Sequence, residues 1–399
     1  MTKSKMQVIE STQPAHRTAI QAVRSALKAR FFERDQVIDG MLVALLAKQH
    51  VLLLGPPGTA KSDLTNALTA SIDGARFFGW LLTKFSTPEE LFGPVSLNGL
   101  KNESYRRITT GKLPEAEIGF LDEIFKGNSA ILNALLTLVN ERVYHNDGKP
   151  TKCPLLSVIG ASNETPEGAE LTALYDRFAL RFHLPYMAEG RNLNAYLRAK
   201  AVAPVASATP TITLTELTQA QDEVRRVQIP DRVFDVIVAI KRQTEAEGFV
   251  SSDRRWGQLV SVVQATAYLD GRDVACDEDL EVLAAALWNE PKDRAKIAGI
   301  VLKLASPVSV RTAELVDMAK ESIRGLPAVD PADPRTQAEW MRAASLTIAT
   351  LDRMIGEVNE LRKAHSTASA TSKLNVCEVE VLRIKTNLVR DVAKQMGIK

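Results

Sequence analysis

The sequence predicts an α/β fold in the first half of the chain, with a parallel sheet and crossover helices, and helical regions after it. A short apolar run at His50–Leu54 stops at Gly55 to Pro57, and a helical pattern follows from Lys61. Two later apolar runs, Ile118 to Leu121 and Leu155 to Gly160, are separated by a helical stretch. Strands that alternate with helices in this way are typical of a parallel sheet.

We predict three regions along the 399 residues. Residues 1–200 hold two N-terminal helices and the α/β core. Residues 201–290 form an all-α domain, because the segment AVAPVASATP at Ala201 to Pro210 is rich in proline and small residues and helical patterns follow it. Residues 291–399 form a C-terminal helical region, which includes a proline-rich linker from Gly325 to Thr336.

Two long helices are predicted to close the chain as an antiparallel hairpin, with STASATS at Ser366 to Ser372 as the hinge. Apolar residues recur every three or four positions in the first helix and less regularly in the second. They could pack within the hairpin or form an interface for a neighbouring subunit or partner. These residues are Trp340, Ala344, Ile348, Leu351, Ile355 and Val358, followed by Leu382, Leu388, Val389, Val392 and Met396.

Composition and charge exclude several classes of protein. Hydrophobic residues make up 45% and charged residues 25% of the chain, so it is neither disordered nor fibrous as a whole. The formal charge of +2 is not the basic balance typical of nucleic-acid-binding proteins. The start MTKSKMQVIE lacks the apolar core of a secretory signal, and apolar runs such as Met41 to Ala47 are too short to span a membrane. We therefore expect a cytoplasmic protein.

A glycine-rich loop follows the first predicted strand. Its sequence GPPGTAKS matches the P-loop pattern G-x-x-x-x-G-K-[ST], except that Ala60 replaces the second glycine. Such a loop surrounds phosphates with backbone N–H groups, while Lys61 would neutralise phosphate charge and the Ser62 hydroxyl would bind Mg²⁺. Ala60 keeps its N–H group, so the loop retains this function if it needs no positive φ there. The predicted nucleotide-binding residues are Gly55, Pro56, Pro57, Gly58, Thr59, Ala60, Lys61, Ser62 and Asp63.

Polar side chains end the two later apolar runs. We expect Asp122 to hold Mg²⁺ and Glu123 to orient and deprotonate the attacking water. Asn163, which follows the run SVIGAS, is placed to contact the terminal phosphate or the water. The two acids could instead cap a helix, and Asn163 could begin a turn. Together with the loop, these residues predict a site that binds ATP and Mg²⁺ and hydrolyses the ATP.

With these three elements in order, the chain resembles the MoxR family of AAA+ ATPases, and most closely its RavA branch. The similarity spans roughly Phe31 to Trp288 and is carried by FFERDQVIDGMLVALL, GPPGTAKS, TKFSTPEELFGPVS, GKLPEAEIGFLDEIFK, ILNALLTLVNER, ASNETP, LYDRFALRF and SSDRRW. It implies an AAA+ core with a helix-2 insert, followed by an all-α lid at residues 201–290. Alanine at the position of Ala60 is common in this family. The RavA branch also carries a β-rich domain beyond the lid, whereas we find no strand-rich segment after Glu290.

The resemblance also implies two catalytic arginines. Arg177, in LYDRF, resembles the arginine finger that reaches into the ATP site of the next subunit, where a guanidinium stabilises the charge of the transferred phosphoryl group. Arg181 is the alternative, and either residue could instead form a surface ion pair. Arg254, in SSDRRW, resembles the sensor-2 arginine at the start of a lid helix, and its neighbour Arg255 is the alternative. The contact with phosphate could be made within one subunit or across the interface.

The segment from Phe85 to Pro114 resembles the helix-2 insert of this group of AAA+ proteins. Such inserts lie at the pore or the top face of the ring and often contact the client protein. A solvated hairpin is an equally good interpretation of this segment. Its notable residues are Gly93, Tyr105, Arg106, Arg107 and Gly111.

Three functions compete on these observations. The leading hypothesis is a homo-oligomeric ring, hexameric by resemblance, that uses ATP hydrolysis to remodel or mature a client protein complex, with a von Willebrand factor A protein as an implied partner. The second is a nucleic-acid motor in which Tyr105, Arg106 and Arg107 contact a phosphate backbone, although the near-neutral charge argues against it. The third is a scaffold that binds ATP without turnover, which Glu123 argues against because a binding site needs no base.

Overall fold

In the computed structural model of the protein, residues 14–166, 168–201, 209–329, 333–364 and 368–395 are described. The chain forms two structural units, one up to Ile297 and the other from Ala298. The first unit contains the sheets and the helices packed on them, and the second unit is built from helices. The predicted boundary between core and lid falls inside the first unit, and the division into three regions stays a prediction.

The helices follow the predicted patterns over most of the chain. The α-helices of the described ranges are α1 (Ala15–Arg30), α2 (Asp35–Leu46), α3 (Lys61–Ala70), α4 (Pro88–Phe92), α5 (Leu97–Lys101), α6 (Ser129–Glu141), α7 (Ala169–Tyr175), α8 (Gly190–Ala201), α9 (Leu214–Val224), α10 (Asp231–Ala246), α11 (Asp253–Leu269), α12 (Arg294–Ala305), α13 (Pro307–Arg324), α14 (Pro334–Ala364) and α15 (Ala368–Gln395). Short 3-10 helices cover Leu113–Glu115, Ile124–Lys126, Asp277–Ala285 and Pro291–Asp293. Over these ranges, no helix is both long enough and apolar enough to cross a bilayer.

A parallel sheet lies at the centre of the first unit, with strand order β3, β4, β7, β1, β8. Strand β7 separates β1 from β4, and all neighbouring strands of this sheet are parallel. The carboxyl ends of parallel strands meet at one edge of a sheet, which is where ligands bind in such folds. The residues that follow β1, β4 and β7 are therefore brought together. The strands are β1 (His50–Leu54), β2 (Ile72–Asp73), β3 (Phe77–Leu81), β4 (Ile118–Asp122), β5 (Val143–Asn146), β6 (Lys149–Lys152), β7 (Ser157–Ser162), β8 (Phe178–His183) and β9 (Ile212–Thr213).

Helix α2 connects the sheet with the predicted lid helices. It packs against β1 and β8 as well as α9 and α11, and nine of its 12 residues are buried. A helix that is apolar nearly all round is stable only when several neighbours cover it. Gln221 of α9 donates a buried hydrogen bond from Nε2 to the carbonyl oxygen of Leu45 at 2.8 Å. The short strand β9 adds a second link, because it pairs in parallel with β2.

His50 joins three parts of the core at the start of β1. Its Nδ1 accepts a hydrogen bond from the Val158 N–H at 2.9 Å, and its Nε2 lies 3.0 Å from the carbonyl oxygen of Val139. These partners fix the neutral tautomer with the proton on Nε2. Burial, together with the nearby charge of Arg142, lowers the pKa of His50 to about 4. The imidazole is therefore neutral in the folded protein near pH 7.

The second unit is a bundle in which α13, α14 and α15 pack against one another. On α14 the predicted residues Trp340, Ala344, Leu351 and Val358 are buried. The buried hydrophobic residues that cluster in the described part of the bundle are Val308, Leu315, Ala319, Trp340, Ala344, Leu351, Met354, Val358, Ala370, Leu374, Cys377, Val381 and Leu388.

On α15 the hairpin interpretation of the predicted apolar residues holds only in part, and the interface alternative stays a prediction for the exposed ones. Leu382 and Val389 are 41% and 44% exposed, and Met396 lies outside the described residues. The reason is that both α13 and α14 pack on α15, so the buried face is set by two neighbours and not by one hairpin partner. Helix α15 also begins at Ala368, inside the predicted hinge.

Acid should weaken the fold through His50. The unfolded side chain, with a pKa of about 6.5, takes up a proton that the folded site resists until about pH 4. The stabilising contribution is fully present above pH 6.5 and is lost as pH falls towards 4, with a slope of up to about 1.4 kcal/mol per pH unit. Denaturant unfolding at a series of pH values measures this slope.

The substitution His50→Gln keeps a donor and an acceptor but removes the titration, so its stability should fall less steeply over the same pH range. His145→Gln, on an exposed position of β5, is the matched control and should keep the wild-type slope. An unchanged slope in His50→Gln would contradict this account.

Candidate active site

The loop after β1 is held tightly against the neighbouring strands. The Gly55 N–H donates to the carbonyl oxygen of Ser162 at 3.1 Å. A Cβ atom at Gly55 would lie 2.3 Å from the carbonyl oxygen of Leu184, so only glycine fits. The Thr59 hydroxyl donates to the carbonyl oxygen of Pro56 at 3.0 Å and closes the loop. The predicted phosphate-binding backbone is thus held at Gly55 and by the hydrogen bond between Thr59 and Pro56.

The loop adopts left-handed backbone at two positions. Gly58 has a φ of +81° and Ala60 a φ of +68°. Glycine enters this region freely, whereas alanine enters it at a cost of about 1 kcal/mol or more. From the sequence, Ala60 fits this loop on the condition that no positive φ is needed there, and this condition is not met. Ala60 therefore carries backbone strain that a glycine at this position would avoid. Pro57 and Gly58 are exposed at the tip of the loop.

Helix α3 begins directly after the loop, at Lys61. No side chain caps its first turn. Uncapped N–H groups at the positive end of a helix dipole attract anions. Ser62, the second residue of the helix, is half-buried, and Asp63 is exposed. The start of α3 therefore fits a phosphate group.

The Lys61 side chain lies in the centre of the site and is 8% exposed. Burial lowers the pKa of its ammonium group, and the nearby carboxylates of Asp122 and Glu123 oppose that shift. The ammonium donates three hydrogen bonds, which offset part of its desolvation. The acceptors are the carbonyl oxygens of Gly55 (2.6 Å) and Pro56 (3.1 Å) and the side-chain oxygen of Asn163 (2.9 Å).

Glu123 follows β4 in a left-handed conformation with a φ of +52°. Non-glycine residues adopt this conformation rarely, and such strain is concentrated at functional sites. Its Oε1 accepts a hydrogen bond from Asn163 Nδ2 at 2.5 Å. Its Oε2 is shielded from solvent and accepts no hydrogen bond from the described residues, although the Lys126 ammonium lies 3.3 Å away as an ion-pair partner. The Glu123 side chain does not cap the turn that follows. The Asp122 side chain accepts a hydrogen bond from the Glu123 N–H at 3.0 Å.

Three strand ends meet in one hydrogen-bonded chain of side chains. Lys61 donates to Asn163, and Asn163 donates to Glu123, and we call this the Lys61–Asn163–Glu123 chain. Asn163 can bridge the other two because β7 lies between β1 and β4. The structure thus brings together residues from all three predicted motifs. A cation, an amide and a carboxylate at these distances can bind a phosphate and activate a water.

The residues of the site fit a triphosphate with Mg²⁺. The Lys61 ammonium and the uncapped N–H groups of α3 suit phosphate oxygens. The Ser62 hydroxyl and the Asp122 carboxylate offer the oxygen ligands that Mg²⁺ prefers, and this ion commonly takes its remaining ligands from water and phosphate.

Arg177 lies between α7 and β8. Among the residues that the structure describes, its Nε and Nη1 have no hydrogen-bond partner, and both are shielded from solvent. Arg181, the alternative finger, is fully buried and donates to the carbonyl oxygens of Trp288 at 2.6 Å and Tyr175 at 3.1 Å. Arg181 is therefore neither available to a neighbour nor part of a surface ion pair. The role of Arg177 as the finger stays a prediction.

Helix α11 presents its two arginines differently. Ser252 caps the helix by accepting the Arg255 N–H at 3.3 Å. Arg254 is exposed, whereas Arg255 is 2% exposed and donates to Asp176 Oδ1 at 2.6 Å. Because Arg255 is committed to internal partners, Arg254 is the arginine of this pair that remains free to contact a phosphate. Its sensor-2 role stays a prediction.

Comparison with protein families agrees with this geometry. The family described as the MoxR domain in the MoxR-vWA-beta-propeller ternary systems matches residues 18–222, which is more than half of the 399 residues. The chain belongs to the MoxR family of AAA+ ATPases. A second family, the AAA lid domain, matches residues 232–301. The predicted fold class, an α/β core with a parallel sheet followed by a lid and a helical C-terminal region, is confirmed.

Individual proteins are similar to this MoxR-family chain. An uncharacterized protein of Methanocaldococcus jannaschii is 40% identical over 72% of this chain and 76% of its own length. Chaperone MoxR1 of Mycobacterium tuberculosis is 24% identical over 64% of this chain and 70% of its own length. The solved structure of an ATPase candidate from Cytophaga hutchinsonii has a TM-score of 0.60 at 20% identity, and the match covers 72% of this chain and 94% of that chain. This last likeness supports the fold.

The predicted insert of this MoxR-family protein, from Phe85 to Pro114, is an ordered loop that contains α4 and α5. Val95 and Arg107 form an antiparallel bridge inside it. The turn between β5 and β6 holds the insert, because Asp147 Oδ1 accepts the Tyr105 N–H at 2.8 Å. The insert therefore has a defined structure that is tied to the core.

The insert offers fewer free cations than its sequence suggests. Arg107 Nη1 donates to Glu89 Oε1 at 2.8 Å and to the carbonyl oxygen of Gly93 at 2.9 Å. Tyr105 and Arg106 are exposed. The nucleic-acid hypothesis named Tyr105, Arg106 and Arg107 as possible contacts to a phosphate backbone, and Arg107 is engaged in these internal contacts.

Replacing Ala60 with glycine should stabilise the protein. The change removes roughly 1–2 kcal/mol of left-handed strain and adds a smaller entropic cost to folding, so we expect the free energy of unfolding to rise by about 0.5 kcal/mol. Denaturant unfolding measures this difference.

Ala22→Gly is the matched control, because Ala22 is an exposed residue in the middle of α1. That substitution should lower the free energy of unfolding by about 0.5–1 kcal/mol. Equal destabilisation by the two substitutions would show that Ala60 is not strained.

Proposed function

We propose that this protein hydrolyses ATP with Mg²⁺ as a homo-oligomeric ring, hexameric by family resemblance, and thereby remodels or matures a client protein complex. The Lys61–Asn163–Glu123 chain carries the proposal, because it sets a carboxylate base beside the lysine that binds phosphate. A protein that only bound ATP would need no base there. Membership in the MoxR family supports the same reading.

Each residue of the site has a role in this proposal. Lys61 and the first turn of α3 bind the phosphates. Ser62 and Asp122 would hold Mg²⁺, and the positive charge of this ion would stabilise the negative charge that develops on the phosphoryl group. Asn163 holds Glu123 through Oε1 and leaves Oε2 for the attacking water. Glu123 then accepts the proton of that water.

Arg177 supports the proposal of a ring. A guanidinium that is shielded from solvent usually has hydrogen-bond partners, because leaving it unpaired costs several kcal/mol. Arg177 Nε and Nη1 have none among the described residues of their own chain. In the ring, Arg177 stabilises the charge of the phosphoryl group in the neighbouring ATP site, so hydrolysis depends on assembly. Arg254 contacts the terminal phosphate from the lid.

The partners in this proposal are inferred from the matched family and from the relatives of this chain. The matched family is described by its association with von Willebrand factor A and β-propeller proteins, and one relative is described as a chaperone. We propose a von Willebrand factor A protein as the partner that delivers the client. Because ATP is supplied in the cytoplasm, we place the activity there. Kinship with the RavA branch stays a prediction.

Glu123→Gln should separate binding from hydrolysis. The amide keeps the oxygen that accepts from Asn163 but cannot take a proton, so ATP binding is retained and turnover falls by about 10²-fold to 10⁴-fold. Nucleotide titration and phosphate release measure the two effects. Glu141→Gln, at the exposed end of α6, is the control and should keep the wild-type rate. Unchanged turnover in Glu123→Gln would remove Glu123 from the mechanism.

Hydrolysis should depend on contact between subunits. We expect turnover per chain to rise with protein concentration, and Arg177→Ala to lower it by about 10³-fold or more without weakening ATP binding. Phosphate release measured together with sedimentation tests both statements. Arg191→Ala, whose side chain is 88% exposed, should leave turnover unchanged. A dilute monomer that is as active as the assembly would refute the ring.

A further inference from the structure

Arg181 and Arg255 are two of the four buried arginines among the described residues of the first unit, the others being Arg17 and Arg34. Arg181 is 0% and Arg255 is 2% exposed. A buried guanidinium is stable only when it is paired and hydrogen-bonded, so its partners are held firmly. Arg181 contacts Tyr175 and Arg255 contacts Asp176, which are the two residues directly before Arg177.

Arg255 and Ser252, at the start of α11, hold Asp176 from two sides. Arg255 Nη2 donates to Asp176 Oδ1 at 2.6 Å, and the Ser252 hydroxyl donates to Asp176 Oδ2 at 3.1 Å. Arg255 Nη1 also donates to the carbonyl oxygen of Ala286 at 3.2 Å. The Asp176 carboxylate is therefore bound to the start of the lid helix α11, and Arg255 ties it to a second lid segment.

Arg181 and Tyr175 make a second connection to the lid. Arg181 Nη1 donates to the carbonyl oxygen of Trp288 at 2.6 Å, and its guanidinium stacks 3.8 Å from the centre of the Tyr175 ring. The Tyr175 hydroxyl donates to the carbonyl oxygen of Asn289 at 2.6 Å. Burial raises the pKa of Tyr175, so this hydroxyl keeps its proton and remains a donor.

Arg177 follows these anchored residues directly. Consecutive Cα atoms are about 3.8 Å apart, so the backbone of Arg177 moves with Asp176. Its own guanidinium has Nε and Nη1 without partners in the described part of the chain. These two nitrogens therefore have hydrogen-bonding capacity that the described residues do not use. The backbone that carries the side chain is fixed to the lid through Asp176.

We propose that Arg255 and Asp176 are positioning residues that couple the lid of one subunit to the Arg177 that this subunit presents to its neighbour's ATP site. This inference rests on the proposed function, in which Arg177 acts in trans. Arg254, next to Arg255 on α11, is the predicted contact to phosphate. One helix thus carries both the residue that senses nucleotide and the residue that holds the finger, so the nucleotide state of one site sets the hydrolysis rate at the next.

Mixed rings test the coupling, because they separate the subunit that supplies the finger from the subunit that hydrolyses. The donor chain carries Glu123→Gln, so it binds ATP and keeps Arg177 but does not hydrolyse. The acceptor chain carries Arg177→Ala, so its ATP site is intact but it supplies no finger. Hydrolysis in the mixture therefore occurs at acceptor sites that face a donor.

Arg255→Ala is then placed in one chain at a time. In the donor it should lower kcat of the mixed ring by at least about 10-fold, with KM for ATP unchanged, because a small misplacement of a charged group is enough for such a loss. In the acceptor the same substitution should have a much smaller effect on kcat. Equal losses in both placements, or a loss confined to the acceptor, would overturn the inference.

Further variants keep the test independent of folding. Asp176→Asn preserves size and should reproduce the donor-specific loss, and Asp176→Asn combined with Arg255→Ala should be no worse than either alone. A lysine in place of Arg255 keeps one positive charge that can reach Asp176. Arg255→Lys in the donor should therefore restore part of the hydrolysis rate that Arg255→Ala loses. The control is Arg272→Ala in the donor, which breaks a lid ion pair with the buried Asp279 and should leave kcat unchanged.

The outcomes distinguish this inference from the proposed function. A mixture of the plain donor and acceptor chains that shows no hydrolysis would overturn the finger in trans, and the coupling with it. An active mixture that does not respond to Arg255→Ala or Asp176→Asn in the donor would overturn the coupling alone.

Discussion

The bridge that Asn163 makes between Lys61 and Glu123 depends on one feature of the sheet, which is the position of β7 between β1 and β4. A carboxamide suits this position because it carries an acceptor and a donor on one short side chain. An aspartate would repel Glu123 and would have no N–H to donate. The amide therefore keeps an ammonium and a carboxylate in one site, each with a partner, and Glu123 Oε2 is left without a hydrogen-bond donor among the described residues.

Four arginines near the lid differ in the hydrogen bonds that their guanidinium groups make within the chain. Arg181 and Arg255 are buried, and several hydrogen bonds hold each of them. They are structural anchors, and the segment they hold belongs to both the sheet and the lid. Arg177 Nε and Nη1 have no hydrogen-bond partner among the described residues, and Arg254 is exposed.

Much of the fold could be predicted because the local signals agree with the tertiary structure. Strands β1, β4 and β7 are continuous apolar runs that end in glycine or polar residues, as central strands of a parallel sheet do. Strands β3 and β8 were not predicted from the sequence. β3 is an edge strand with an exposed Phe77, and the apolar run of β8 is interrupted by Arg181, whose burial has no local signal. The face of α15 was misassigned because α13, distant in sequence, covers part of it.

The sequence by itself determined the residue types and their spacing, and with them the P-loop, the acidic pair, the amide after β7 and the course of most helices. These features follow from short-range rules, since the chemistry of a phosphate site requires particular groups within a few residues of a strand end. Only the tertiary structure decided that Ala60 has a positive φ and that Arg181 and Arg255 are internal. Their acceptors lie 107 residues away at Trp288 and 79 residues away at Asp176. Contacts between residues so far apart along the chain form only when the sheet and the lid pack together.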